Sequence, residues 1–203
     1  AHVYQGWVHD YYFTRFGRRG MDDRNSEVDS IVHPLARSEV NRQPPNIVGT
    51  FINNAFYCCD GLLVFGDGDG RVFTYLAGAF DVVAHEWTHG VTDSSSQLIY
   101  QDESGALNEA FSDIMAASME FYYQPVGAGP DRADWQIAED AFLLPPGYLR
   151  SLNNPTAAGE PVDRISGHRL RRPVCQLHRD PRGGAPPPGP PDRARSARQR
   201  ARP

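Results

Sequence analysis

His85-Glu86-Trp87-Thr88-His89, an H-E-x-x-H pattern, constrains this chain more than any other stretch. On an α-helix, residues four apart share a face, so His85 and His89 can present both imidazoles to one metal ion. The segment Asn108-Glu109-Ala110-Phe111-Ser112-Asp113 follows at a distance that lets the chain reverse, which makes Glu109 a candidate third ligand. Two neutral imidazoles and one carboxylate leave a tetrahedral Zn²⁺ with an open fourth position for water. Glu86, beside the first ligand, is placed to take that water's proton. An imidazole that binds metal through one nitrogen needs an acceptor for its other N–H. Asp113, four residues after Glu109, can supply one, and Asn108 is a second candidate for the outer layer. A metzincin would need a third histidine six residues after His89, where this chain has Ser95.

The rest of the chain bounds the reading. Its 203 residues suit one domain or two small ones. Lysine is absent, so all twenty basic residues are arginine, as a gene rich in G and C would give. Residues 1–163 hold nine Arg against 23 acidic residues, a formal −14, whereas residues 164–203 hold eleven Arg against two Asp, a formal +9. An acidic body argues against nucleic acid as its partner. No apolar run approaches the twenty residues of a membrane span, and no secretory signal is visible. The chain opens inside a helical pattern and reads as a fragment that lacks its true N-terminus. Cys58 and Cys59 are adjacent, a pairing that rarely bridges without strain, and with Cys175 they show no zinc-ribbon spacing.

Periodicity gives the elements. Val3, Tyr4, Trp7, Val8, Tyr11, Tyr12 and Phe16 predict a helix over residues 1–16. Ile31-Val32 predicts a short strand, and residues 47–56 and 62–65 predict two more, split by Cys59-Asp60-Gly61. Gly66-Asp67-Gly68-Asp69-Gly70 lacks the spacing and terminal Glu of an EF-hand and reads as a tight turn. Residues 73–90 then carry the first metal-binding helix, residues 93–100 a serine-rich connection, and residues 104–123 the second helix, opened by Ser104-Gly105.

Four stretches carry a resemblance: Asn53-Asn54-Ala55-Phe56, the FGDGDG of residues 65–70, the DVVAHEWTHGVTD of residues 81–93 and the LIYQDESGALNEAFSDI of residues 98–114. Residues 1–154 resemble a thermolysin-like zinc metalloendopeptidase of the gluzincin group. The resemblance implies an α+β, partial thermolysin-like fold: a strand-rich N-terminal part over residues 1–75, a helical zinc-binding part over 76–163, and no closing C-terminal helical bundle. It implies His85, His89 and Glu109 as zinc ligands, Glu86 as base, and Tyr100 as the hydroxyl that steadies the oxyanion. Asn54 would bind the substrate backbone and Ala55 would offer it a carbonyl. Phe73, Leu76, Val82, Ile137 and Leu149 would line a pocket for a bulky apolar residue after the scissile bond, and Arg150 would reach a substrate carbonyl. Asp81, Glu120, Asp134 and Glu139, with the main-chain carbonyl of Gln136, would hold Ca²⁺. The implied protein is a secreted monomer acting on protein or peptide substrates.

The resemblance stops near Val162. Residues 164–203, with eleven Arg and eight Pro, lack the periodicity of a packed core. An Asn-Gly-Gly-Val-His-type segment with a second catalytic histidine is expected there and is absent; His168 and His178 lack its surroundings. The abrupt change is read as a shifted reading frame in a GC-rich gene, with a native basic tail that binds acidic partners as the other origin. The alternative to a protease is accordingly an impaired metal-binding remnant, or a binder of acidic partners through the tail. The apolar faces of the two metal-binding helices are expected to lie uncovered.

Overall fold

The computed structural model describes residues 1–157, so residues 164–203, including His168, Cys175 and His178, lie outside them. Helix α1 (His2–Phe16) opens the chain and buries Gln5, Val8, Tyr11 and Tyr12. It ends at Gly17, whose φ of 67° is left-handed, a conformation a Cβ penalises and glycine takes freely. The last turn is closed by the Gly17 and Arg18 N–H groups, which donate to the Phe13 and Tyr12 carbonyls.

Three short strands form one sheet in the order β1–β3–β2. Strand β1 (Asp29–Val32) pairs parallel with β3 (Leu62–Phe65), and β2 (Ala55–Tyr57) pairs antiparallel with it. Central β3 is the continuous apolar run Leu62-Leu63-Val64-Phe65, as a strand flanked on both sides requires, and Leu63 and Phe65 are fully buried. The strand expected over residues 47–56 exists only at its end. Residues Pro45–Phe51 form helix α2 instead, because Pro45 takes the first helical position, where its fixed φ fits and its missing N–H costs nothing. Β-branched Ile47, Val48 and Thr50 had argued for strand, and the proline start overrode them.

Residues 66–70, expected to form a tight turn, are an irregular loop after β3 that bends at Gly70. Asn53 Nδ2 donates to Asp69 (2.9 Å), and the Asp69 carboxylate also accepts the Arg71 and Val72 N–H groups (2.8 Å each). Gly68 has φ of 66°, and a Cβ there would stand 2.1 Å from the Phe73 carbonyl oxygen, so only glycine fits.

Helix α3 (Phe80–Ser94) runs through the middle of the core, with every residue from Phe80 to Thr92 buried. It starts later than the pattern at 73 suggested, because a 3₁₀ turn at Leu76–Gly78 precedes it. Helix α1 packs on one side: Trp7 meets Phe80 edge-on at 5.5 Å, and Tyr12 shares a 2.9 Å hydrogen bond with Thr88. Helix α4 (Asp102–Tyr123) packs along the other side, with Asp102 and Glu103 facing its positive N-terminal end. The uncovered faces expected of the two helices are found on α4 alone, where Leu107, Phe111 and Ile114 form an exposed stripe. Two-residue strands β4 (Gln136–Ile137) and β5 (Arg150–Ser151) pair antiparallel and bring the last described segment beside α4.

Candidate metal centre and cleft

Helices α3 and α4 meet where the sequence placed the metal. His89 Nε2 and His85 Nε2 stand 2.9 Å apart, and Glu109 presents its two oxygens 3.2 Å from His85 Nε2 and 3.4 Å from His89 Nε2. Ligands on a tetrahedral zinc with bonds of 2.0–2.1 Å are separated by about 3.3 Å, so the donor set fits that ion in both chemistry and spacing.

The outer ring nitrogens explain why these inner ones are free for metal. His89 Nδ1 lies 2.7 Å from Asn108 Oδ1 and 3.2 Å from Ser112 Oγ. His85 Nδ1 lies 2.8 Å from Asp113 Oδ1. Asp113 is itself held by Arg150, whose Nε and Nη2 donate at 2.8 and 2.7 Å in a two-pronged fork. With Asn108 bonded to His89 Nδ1 and Asp113 close to His85 Nδ1, both Nε2 atoms face the shared position.

The charges are strongly interdependent. Burial opposes a charge on His85, yet Asp113 and Glu109 outweigh it and raise its pKa to about 10 without a metal. Burial likewise opposes the Glu109 charge, and His85 with His89 and Arg150 reverses the sign, lowering it to about 2. Asp113 is pushed well below the carboxylate range, burial again being overcome by Arg150 and His85. Glu109 and Asp113 thus carry two negative charges, which a proton on His85 offsets in part and a divalent metal ion offsets in full.

Glu86, one residue from His85, is buried, and its Oε2 accepts the Tyr57 N–H at 2.9 Å. It borders a cleft of about 1190 Å³ whose walls include Asn54, Ala55, Tyr100, Leu149 and Arg150. Tyr100 stands edge-on to His89 with ring centroids 5.7 Å apart. Phe73, Leu76, Val82 and Ile137 also line this cleft, and the last three are buried as well. Leu76, Val82 and Ile137 thus serve the core and the cleft wall at once.

Asp81, Glu120 and Glu139 form a second acidic group, with one oxygen of each within 4.8 Å of the others. Both Glu120 oxygens and Glu139 Oε2 are buried without a hydrogen-bond partner, a costly state for a carboxylate unless a cation or proton meets it. Burial and then mutual repulsion raise Glu120; burial with Asp81 raises Glu139; burial alone dominates for Asp81. Asp134 is not among the three. Its Oδ1 accepts the Gln136 N–H at 2.6 Å, and its charge still raises Glu120 and Glu139 from beside the group.

Three neighbours escaped the sequence. Asp140 adds its charge to the acidic group, and adjacency to Glu139 was the available signal. Ser112 reaches His89 from the face of Asn108, four residues earlier. Tyr57 acts on Glu86 through its main chain, which no side-chain pattern reports.

Comparison with known proteins agrees with this geometry. Residues 1–93 match the thermolysin metallopeptidase catalytic domain, and residues 96–180 match the thermolysin metallopeptidase alpha-helical domain. Bacillolysin of Bacillus cereus is 42% identical over 165 residues, covering 79% of this chain and 25% of that protein. Neutral protease NprE of Bacillus pumilus is 39% identical over 169 residues, covering 83% of this chain and 47% of its own length. Among solved structures, the precursor of protealysin, a metalloproteinase from Serratia proteamaculans, superposes with a TM-score of 0.65 at 27% identity, over 87% of this chain and 53% of that one. The chain therefore spans between a quarter and about half of the relatives it matches. Among the described residues, no helix is long and apolar enough to cross a membrane.

Proposed function

The chain belongs to the thermolysin metallopeptidase family, and from that premise we propose that its cleft hydrolyses internal peptide bonds of proteins with a zinc ion held by His85, His89 and Glu109. The observation that carries this reading is the convergence of four ligand atoms from three residues at 2.9–3.4 Å in an open cleft, with the Glu86 carboxylate beside them. Zinc, when bound, supplies Lewis acidity to a carbonyl and acidity to a water molecule. Glu86 then receives the proton and passes it to the departing amine. Tyr100 and Arg150, on the walls of the same cleft, are the donors available to oxygens that gain negative charge.

Substrate would lie as an added strand along the free edge of β2, at Asn54 and Ala55. The pocket of Phe73, Leu76, Val82, Ile137 and Leu149 would take a bulky apolar side chain, so cleavage falls on its N-terminal side. Calcium is proposed at Asp81, Glu120 and Glu139, with Asp134 and the Gln136 carbonyl adjoining; the orphaned Glu120 oxygens support it. Secretion and action as a monomer complete the proposal.

The test compares the wild type with Glu86→Gln for metal content and for hydrolysis of an internally quenched peptide bearing a central bulky apolar residue. The expected result is one zinc per chain in both and a turnover lower by about 10²–10⁴-fold in the variant. Zinc bound without turnover in the wild type would reduce the chain to a metal-binding remnant, and equal turnover in the two would remove Glu86 from the mechanism.

A further inference from the structure

Strand β2 is an outer strand of its sheet, and its ladder shows which groups face away from it. The Asn54 carbonyl accepts the Gly66 N–H at 3.0 Å, and the Cys58 N–H donates to Leu62 at 2.9 Å. Inward bonding alternates along an antiparallel strand, so the main-chain groups of Ala55 and Tyr57 point outward. The outward Tyr57 N–H is the one that Glu86 Oε2 accepts. The same residue is tied to α3 a second time: its phenol donates to Asp93 Oδ2 at 3.2 Å. Glu86 and Asp93 are seven residues apart, two helical turns, and therefore lie on one face of α3.

We propose that Tyr57 is a positioning residue that braces β2 against α3 at two points, setting where the Glu86 carboxylate sits relative to the edge that receives substrate. This rests on the reading of Glu86 as the base. A carboxylate on a two-carbon stem can rotate away from a water molecule that it must deprotonate. A main-chain donor on one oxygen fixes its rotamer and leaves the other oxygen for chemistry. The phenol keeps that donor in place, because β2 is only three residues long and bonded to its sheet on one side. Burial first, and the Asp93 charge second, hold the phenol well above its ordinary pKa, so it remains a donor at every working pH.

The experiment uses the full chain, zinc-loaded, with two readouts: kinetics on the quenched peptide, and hydrogen exchange of the Tyr57 amide. Tyr57→Phe removes only the hydroxyl and keeps the N–H. The bond is long for a charge-assisted one, so kcat is expected to fall by about fivefold with KM within about twofold, and amide exchange to quicken by a similar factor. Asp93→Ala is expected to match it, Asp93→Asn, which still offers an acceptor, to recover most of the loss, and the Tyr57→Phe/Asp93→Ala pair to be no worse than either alone. Unchanged kcat and unchanged amide protection in Tyr57→Phe, or additive losses in the pair, would overturn the brace. A zinc-loaded wild type that releases no product sinks the reading of function instead, and amide exchange then decides the brace by itself.

Discussion

Glu120→Gln should stabilise the chain without calcium and destabilise it with calcium. Glu120 is fully buried on α4, and oxygens of Asp81 and Glu139 lie within 4.8 Å. At an effective dielectric constant of about 20, two like charges at that separation repel by roughly 3.5 kcal/mol. Two such neighbours would place about 7 kcal/mol on Glu120 if all three ionised, a sum comparable to a whole domain's stability. Burial first, and for Glu120 and Glu139 this repulsion second, make the group hold protons, and all three carboxyls are raised above their ordinary 3.8 and 4.5. A carboxyl raised in the fold contributes stability that is complete below its unfolded pKa and lost as pH climbs through the folded one. Calcium-free wild type should therefore lose stability steadily from about pH 4 to about pH 10, where Glu120 gives up its proton. The amide of Glu120→Gln is neutral without taking up a proton on folding, so at pH 8 it should gain about 1–3 kcal/mol, or roughly 3–9 °C in Tm. Calcium at a thousandfold excess over Kd should add about 4 kcal/mol to the wild type and less than about 1 to the variant. Thermal melts at pH 5 and pH 8, with free zinc buffered and calcium removed or saturating, read all of this. A variant less stable than wild type without calcium, and equally responsive to it, would refute the account of the acidic trio.

Two further substitutions probe the metal centre and the packing beneath it. Asp113→Asn removes the charge that His85 Nδ1 and the Arg150 fork both meet. Zinc affinity, read by competition with a chromophoric chelator, should weaken about 10–100-fold, and an unchanged affinity would mean that His85 is oriented from elsewhere. Gly90→Ala places a Cβ 1.9 Å from Met21 Sδ inside the core. The helix gains about 1 kcal/mol of propensity from alanine, but overpacking costs about 1–3 or more, so the melt should fall, and a second change, Met21→Ala, should restore part of it.

How much of this was legible depended on whether a residue acts through its side chain at a fixed spacing. His85, His89, Glu109 and Asp113 lie on two amphipathic helices, where intervals of four fix the face, and all four converge as their spacing implies. The acidic trio was harder, since Asp81, Glu120 and Glu139 come from α3, α4 and the segment after β4. Nothing local distinguishes them from surface acids, and only packing reveals that Glu120 has no solvent. Residues 47–51 misled for the opposite reason: Ile47, Val48 and Thr50 favour strand individually, while one proline at the helix start decides the backbone. The Tyr57 contact with Glu86 was invisible because a main-chain donor carries no signature of its own.

The two acidic centres also share their supports. Asp81 and His85 are one turn apart on α3, while Glu109, Asp113 and Glu120 lie along α4. Any force that spreads these two helices at the Glu120 end must also alter the distance from Glu109 to the imidazoles. Where pH strips protons from the group, repulsion among its carboxylates is such a force, and it acts from both helices at once, since Asp81 stands on one and Glu120 on the other. If calcium binds the group as proposed, neutralising it should do more than raise the melting temperature: it should steady the helix separation on which the 3.2 and 3.4 Å approaches of Glu109 to His85 and His89 depend. Zinc affinity should rise when calcium binds, and by linkage calcium affinity should rise by the same factor when zinc binds. In Glu120→Gln, with the repulsion gone, the two affinities should no longer respond to each other.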